Sequence, residues 1–290
     1  VSTTNACKLC APMGAGLAFK GVEGCVPFLH GSQGCATYMR RYAISHFREP
    51  IDVASSALGE KHAVFGGGPN LKKGILNVVR AYQPSLVGVA TTCLTETIGD
   101  DVPMLLRELR QEFSDLDLPP VVHASTPSYS GSHMDGWHAA VKAMAEQLVT
   151  EKAPDAPRLN LMPGFLSPAD LEHLRQLVQD FDLVPVLLPD VSLPLNGPIL
   201  DTYQNMPSGG TPLADIRAMS GAAASLELGR CLAMVREGGS NGGTTAGQGL
   251  LARFGVPALS CGLPVGLRES DAFFTHLSEV SGRPIPERHD

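Results

Sequence analysis

The sequence is poor in aromatic residues and in charge. It has one tryptophan in 290 residues, and aromatics make up 6% of it. The core is therefore left to Ala, Val and Leu. Charged residues are 18% against 43% hydrophobic, too little charge and too much apolar material for a disordered chain. A cationic excess is also missing: 22 Lys and Arg face 29 Asp and Glu, a net charge of −7. That argues against a nucleic-acid or anionic-membrane partner. No apolar run reaches the roughly 18 residues needed to span a bilayer. No basic, apolar signal segment is recognisable either, so the sequence reads as that of a soluble, cytoplasmic protein. The phosphate-binding patterns GxGxxG and Walker A do not occur, and the Gly-rich stretch Phe65–Pro69 lacks the lysine of a phosphate loop. A second CxxC to complete a zinc site with Cys7 and Cys10 is missing as well.

Backbone punctuation and thiols are plentiful. The chain carries 31 Gly, 23 Pro and 7 Cys. An odd number of cysteines without secretion signals makes disulfides the weaker reading, behind buried thiols, metal ligands or catalytic thiols. Cys7, Cys10, Cys25 and Cys35 fall in the first 35 residues, separated by Gly-rich turns at Pro12–Gly14, Gly21–Gly24 and His30–Gly34.

Further along, short apolar runs alternate with amphipathic segments. Strands are predicted at Leu86–Ala90, Val121–Ala124, Leu159–Met162, Val184–Leu188, Ser225–Leu228 and Ala258–Cys261. Helices are predicted over 36–47, from an Asn70 cap through Val79, and over 102–113, 135–149, 167–181, 212–220 and 269–281. The expected fold is α/β, with tandem Rossmann-like domains and mainly parallel sheets. The charged, Pro-containing stretch Glu151–Pro157 is the natural linker, giving domains 1–155 and 156–290. Gly238–Gly243 reads as a flexible surface turn or a linker.

Cys93 lies just past a predicted strand, Ser128 falls at the same end of the next, and Cys10 and Cys35 sit in turns. Ligands of open α/β sheets bind beyond the strand carboxyl ends. Three thiols and a hydroxyl converging there suit a soft metal or an iron–sulfur cluster. Small buried core thiols fit the same positions from spacing alone. Cys7-x-x-Cys10 also allows a redox dithiol, without the βαβ context that would support it. Cys231 and Cys261 read as inert core thiols. His30 and His46, with Arg40, Arg41 and Arg48, suit either cluster support and an anion channel or a solvated, partner-facing helix. Glu96, Asp100 and Asp101 read as helix-start acids.

Together, Cys10-Ala-Pro-Met-Gly-Ala15, His30-Gly-Ser-Gln-Gly-Cys35, His46-Phe-Arg-Glu-Pro50, Val64-Phe-Gly-Gly67 and Thr91-Thr-Cys-Leu-Thr-Glu-Thr-Ile-Gly-Asp-Asp101 resemble the nitrogenase component 1 superfamily. Thr126–Ser128, Gly131–His133 and Gly136-Trp137 continue the resemblance, which covers nearly the whole chain. The first 150 residues fit two branches, the β subunit of molybdenum–iron nitrogenase and the N subunit of the cofactor-assembly scaffold. The second half is more similar to the N subunit, through Leu166–Leu171, Leu188–Asp190, Pro194–Gly197, Gly209–Thr211, Asp215–Met219 and Ser281–Pro286.

That resemblance implies a non-catalytic scaffold subunit on which molybdenum and homocitrate enter an iron–sulfur–carbide precursor of the iron–molybdenum cofactor. The precursor would be held mainly by a homologous E-type subunit in an α2β2 heterotetramer. An interface cluster, [4Fe–4S] or P-cluster-like, is implied, with Cys35 the foremost ligand, Cys10 and Cys93 matching the other two ligand positions, and Ser128 matching a hydroxyl that joins on oxidation. The other branch would instead relay electrons through a P-cluster. Transient contacts with cofactor-delivery proteins and nitrogenase reductase follow from the same resemblance. The family's third domain is not expected within these 290 residues.

Overall fold

A computed structural model of the chain describes residues 9–47, 51–197, 202, 204–206, 208–229 and 244–289. Cys7, Arg48, Cys231 and the 238–243 segment, all weighed above, lie outside the described residues. Two four-stranded sheets organise the rest. The first contains β1 (Cys25–His30), β2 (Ala54–Ser55), β3 (Leu86–Thr91) and β4 (Val121–Ala124) in the order β2-β1-β3-β4. The second contains β5 (Ala156–Met162), β6 (Val184–Leu187), β7 (Ala222–Leu228) and β8 (Ala258–Cys261) in the order β6-β5-β7-β8. Every pairing is parallel, as the unbroken apolar runs of the central strands require. The expected α/β fold with mainly parallel sheets is the one observed.

Helices cover both faces of the first sheet. On one face, α4 (Gly68–Tyr82) and α6 (Val102–Glu112) place Leu71, Ile75, Val78, Leu106 and Leu109 against Val26, Phe28, Val87, Val89 and Val121. On the other, α1 (Ala11–Lys20) and α7 (His133–Leu148) pack over Cys25, Leu29, Ala90 and Val122. That second core runs on without a break into the second sheet, through Leu159, Leu161, Val186 and Leu226, to Phe273 and Leu277 of the helix Leu267–Ser281.

Backbone bonds join the halves too. The Gly21 carbonyl after α1 accepts from the N–H groups of Asp190 (3.0 Å) and Thr211 (2.8 Å). The stretch between α7 and β5 is tied down by Ser220, whose hydroxyl donates to the Glu151 carbonyl at 2.7 Å and accepts from Ala153 N–H at 2.8 Å.

Two expectations are corrected. Pro12–Gly14 is not a turn but the opening of α1, a helix whose ten residues are all buried and which therefore shows no amphipathic period. The strand Cys25–His30 was hidden between the glycines on either side of it. Asn70 is not an N-cap: α4 starts at Gly68, and the Asn70 amide donates instead to the Ser56 carbonyl at 2.9 Å. By contrast Ser167 does cap its helix, α8 (Pro168–Gln179), accepting from Asp170 N–H at 3.2 Å.

Candidate functional site

Parallel register brings three loops to one edge. His30 pairs with Thr91 and Ala90 with Ala124, so β1, β3 and β4 end level with one another. The chain leaves β1 into Gly31-Ser32 and then α2 (Gln33–His46), whose first turn holds Cys35. It leaves β3 through Thr92 into α5 (Cys93–Ile98), which begins at Cys93. It leaves β4 through Thr126-Pro127-Ser128, a turn anchored to β3 by Thr126 N–H on Thr91 Oγ1 at 2.9 Å and by Thr126 Oγ1 on the Thr91 carbonyl at 2.7 Å. Cys10 arrives from another direction, as the residue before α1, through an antiparallel bridge to Ser132.

Ser128 connects two of the thiols. Its backbone N–H donates to Cys93 Sγ at 3.3 Å, and its side chain acts on the Cys10 thiol, favouring loss of the proton. Cys10 also lies within electrostatic reach of Cys35, whose sulfur accepts from Ser32 Oγ at 3.4 Å. Burial pushes the Cys10 thiol above its ordinary pKa, while the Met13 main chain and the Ser128 side chain pull the other way. All three sulfur-bearing residues are half-buried, and each stands at the start of a helix, where unpaired N–H groups favour negative charge. Beside Cys93, Thr92 Oγ1 is buried without a hydrogen-bond partner.

Cys25 and Cys261 stand apart. Cys25 is 2% exposed within β1, and burial pushes its thiol up to about 12. Cys261 ends β8 in the second sheet, where burial and then Glu269 push it up to about 11. Cys10, Cys25, Cys35, Cys93 and Cys261 are all free thiols.

Among the described residues, no group of three His, Cys, Asp or Glu side chains is close enough to hold one metal ion. The described thiols are therefore not gathered around a single metal-ion position, as a closed zinc site would require. Their chemistry suits a multi-iron sulfide cluster, whose irons present several separate coordination positions to thiolates.

Two acids and a histidine play roles the sequence did not reveal. Asp101 caps α6 as expected, accepting from Met104 N–H at 2.9 Å. Asp100 does not; its carboxylate takes His30 and the Gly67 N–H. Glu96 accepts the hydroxyls of Thr91 and, at 2.6 Å, Ser125. His30 is fully buried, apart from the exposed Arg40 and Arg41 with which it was grouped. Burial lowers its pKa against the opposing pull of Asp100.

The nitrogenase component 1 type oxidoreductase family matches residues 10–290. The chain belongs to that family. It is 34% identical over 282 residues to the nitrogenase molybdenum-iron protein beta chain of Clostridium pasteurianum, covering 97% of this chain and 59% of that one. It is 36% identical over 290 residues to the nitrogenase iron-molybdenum cofactor biosynthesis protein NifN of Bradyrhizobium diazoefficiens, covering 98% and 60%. Among solved structures, "Nitrogenase Cp1 at pH 6.5" superposes with a TM-score of 0.88 at 33% identity, over 97% of this chain and 59% of that one. This nitrogenase component 1 type chain thus spans about three-fifths of the length of these relatives. Both branches expected from the sequence are represented, and the matches do not separate them; the lean of the second half toward the scaffold branch is not reproduced. Among the described residues, no helix is long and apolar enough to cross a membrane.

Proposed function

We propose that this chain is the thiol-bearing subunit of a nitrogenase component 1 type complex, with Cys10, Cys35 and Cys93 ligating an iron–sulfur cluster shared with a homologous subunit. The observation that carries the reading is the placement of Ser128, whose backbone N–H donates to Cys93 Sγ at 3.3 Å and whose side chain eases the loss of the Cys10 proton. When bound, such a cluster supplies one-electron transfer. The chain's own residues set the terms of loading. Cys10 must give up a proton that burial holds, so loading is pH-dependent, and Met13 and Ser128 ease that loss. Three thiols leave the usual four-cysteine set of a four-iron cluster incomplete, which is the reason for a second subunit.

The retained set of three cysteines with Ser128 favours electron relay, the role of a molybdenum–iron β subunit. A second reading, the scaffold subunit of cofactor maturation, draws on the second-half segments and on the similarity to NifN at 36% identity.

The full-length chain co-purified with its homologous partner tests both. Electron relay predicts iron with acid-labile sulfide, a paramagnetic signal, and reductase-dependent substrate reduction lost in Cys35→Ala. The scaffold reading predicts iron with molybdenum and homocitrate uptake but no substrate reduction. A complex without iron, or one whose iron and spectrum survive Cys35→Ala unchanged, rejects the site.

A further inference from the structure

His30 ends β1 and is the point at which two of the candidate ligand loops meet. Its carbonyl accepts from Thr92 N–H at 3.0 Å and from the Thr95 hydroxyl at 2.9 Å, which pins the chain on both sides of Cys93. Its ring faces the opposite partners: Nδ1 lies 2.9 Å from Ser56 Oγ, and Nε2 lies 3.1 Å from Asp100 Oδ2. Ser56 Oγ in turn accepts the N–H of Gly31 at 2.9 Å, at the start of the turn that leads to Cys35. Asp100 completes the line by accepting Gly67 N–H on both oxygens, at 3.1 and 3.0 Å. Gly67 is needed there, because a Cβ would stand 2.6 Å from Asp100 Oδ2 and 2.9 Å from His30 Cε1.

The direction of this chain follows from the chemistry of its members. A carboxylate only accepts, so the neutral imidazole must carry its proton on Nε2 and accept on Nδ1. The Ser56 hydroxyl then donates to Nδ1 and leaves its lone pairs for Gly31 N–H. Without the carboxylate, the ring loses its fixed tautomer, and the hydroxyl has the Gly31 carbonyl, 3.3 Å away, as an alternative acceptor.

We propose that Asp100 is a positioning residue for the candidate cluster site: acting through His30 and Ser56, it holds the turn of Cys35 in register with the helix of Cys93. The relevance of that register rests on the ligand roles proposed above, whereas the test reads the loops themselves.

The full chain is stripped of iron by chelation, and alkylation by iodoacetamide is followed at each cysteine by mass spectrometry. Asp100→Ala leaves the buried His30 Nε2 and Gly67 N–H without an acceptor. It is expected to speed alkylation of Cys35 and Cys93 by about tenfold or more, with Cys10 changed less than about twofold. Asp100→Asn, which keeps the shape and one acceptor oxygen, is expected to restore most of the protection. Ser56→Ala is the milder variant, should Asp100→Ala not fold; it is expected to release Cys35 and spare Cys10. Equal acceleration at all three cysteines, or none, overturns the proposal. Iron content of the same variants before chelation is read separately. Absence of iron in the unaltered protein sinks the cluster reading while leaving the alkylation result to decide the role of Asp100.

Discussion

Gly14 of α1 lies so close beneath the backbone of His133 in α7 that a Cβ would stand 1.7 Å from the His133 carbonyl oxygen. The reverse contact repeats it, with a Cβ on Gly136 standing 1.8 Å from the Ala11 oxygen. The two helices cross with main chain against main chain, just where Cys10 and Ser132 make their bridge. Backbone atoms cannot swing aside as a side-chain tip can. Gly14→Ala and Gly136→Ala should therefore each cost at least about 1–3 kcal/mol, the usual range for an overpacked core. Urea denaturation measures this, and Gly16→Ala, which meets nothing within 4 Å, is the control expected to change little. Equal stability of all three variants would contradict the crossing.

Acid should weaken the fold in a particular window. Burial lowers the pKa values of His30, His123, His133 and His138 below their ordinary 6.5. Below 6.5 the unfolded chain takes up protons that the folded chain refuses, so stability falls as pH drops. The loss begins near the ordinary histidine value and levels off below the lowered ones. The urea midpoint should decline between pH 7.5 and 5.5, and His123→Gln should make the decline shallower. A midpoint that rose on acidification would refute the assignment.

Cys25 should be chemically silent. With its thiol pushed up to about 12, almost none is thiolate at pH 8. Iodoacetamide should leave it unmodified in the native protein for as long as the fold holds and label it readily in urea. Labelling at a rate comparable with the half-exposed cysteines would mean that β1 opens freely.

Thr211 should matter more than a loop threonine usually does. Its hydroxyl accepts from Asp190 N–H at 3.1 Å and donates to the Leu187 carbonyl. Thr211→Val keeps the shape but removes the hydroxyl that donates to the buried Leu187 carbonyl, which costs about 1–3 kcal/mol, while Asp190 N–H keeps the Gly21 carbonyl. Thr211→Ser should recover most of the loss in the same denaturation assay.

The second sheet was largely legible because its strands are short apolar runs with polar or Gly/Pro boundaries; β8 begins and ends where the sequence placed it. The first 35 residues were not. A helix buried on every side carries no periodicity, and Gly14 looked like a turn residue although it marks a crossing. Within the site, Cys93 and Ser128 were placed by the strand ends before them. Their contact depends on the level register of β3 and β4, which no local pattern encodes. Asp100 was unreadable for a related reason. Its neighbour Asp101 is the helix cap that both resembled, and the partner of Asp100 lies 70 positions away in sequence.

The clasp on Gly21 sets an order of events during synthesis. A ribosome releases Cys10, Cys35, Cys93 and Ser128 before it reaches Asp190. The far end of the helix that Cys10 begins is fastened by Asp190 and Thr211, which emerge after all four. For the time it takes to translate the intervening residues, every sulfur of the site exists while the fastening of α1 does not. A nascent chain at that stage offers its thiols to oxidants and stray metals, and the cell's protection of them must be chemical before it can be architectural.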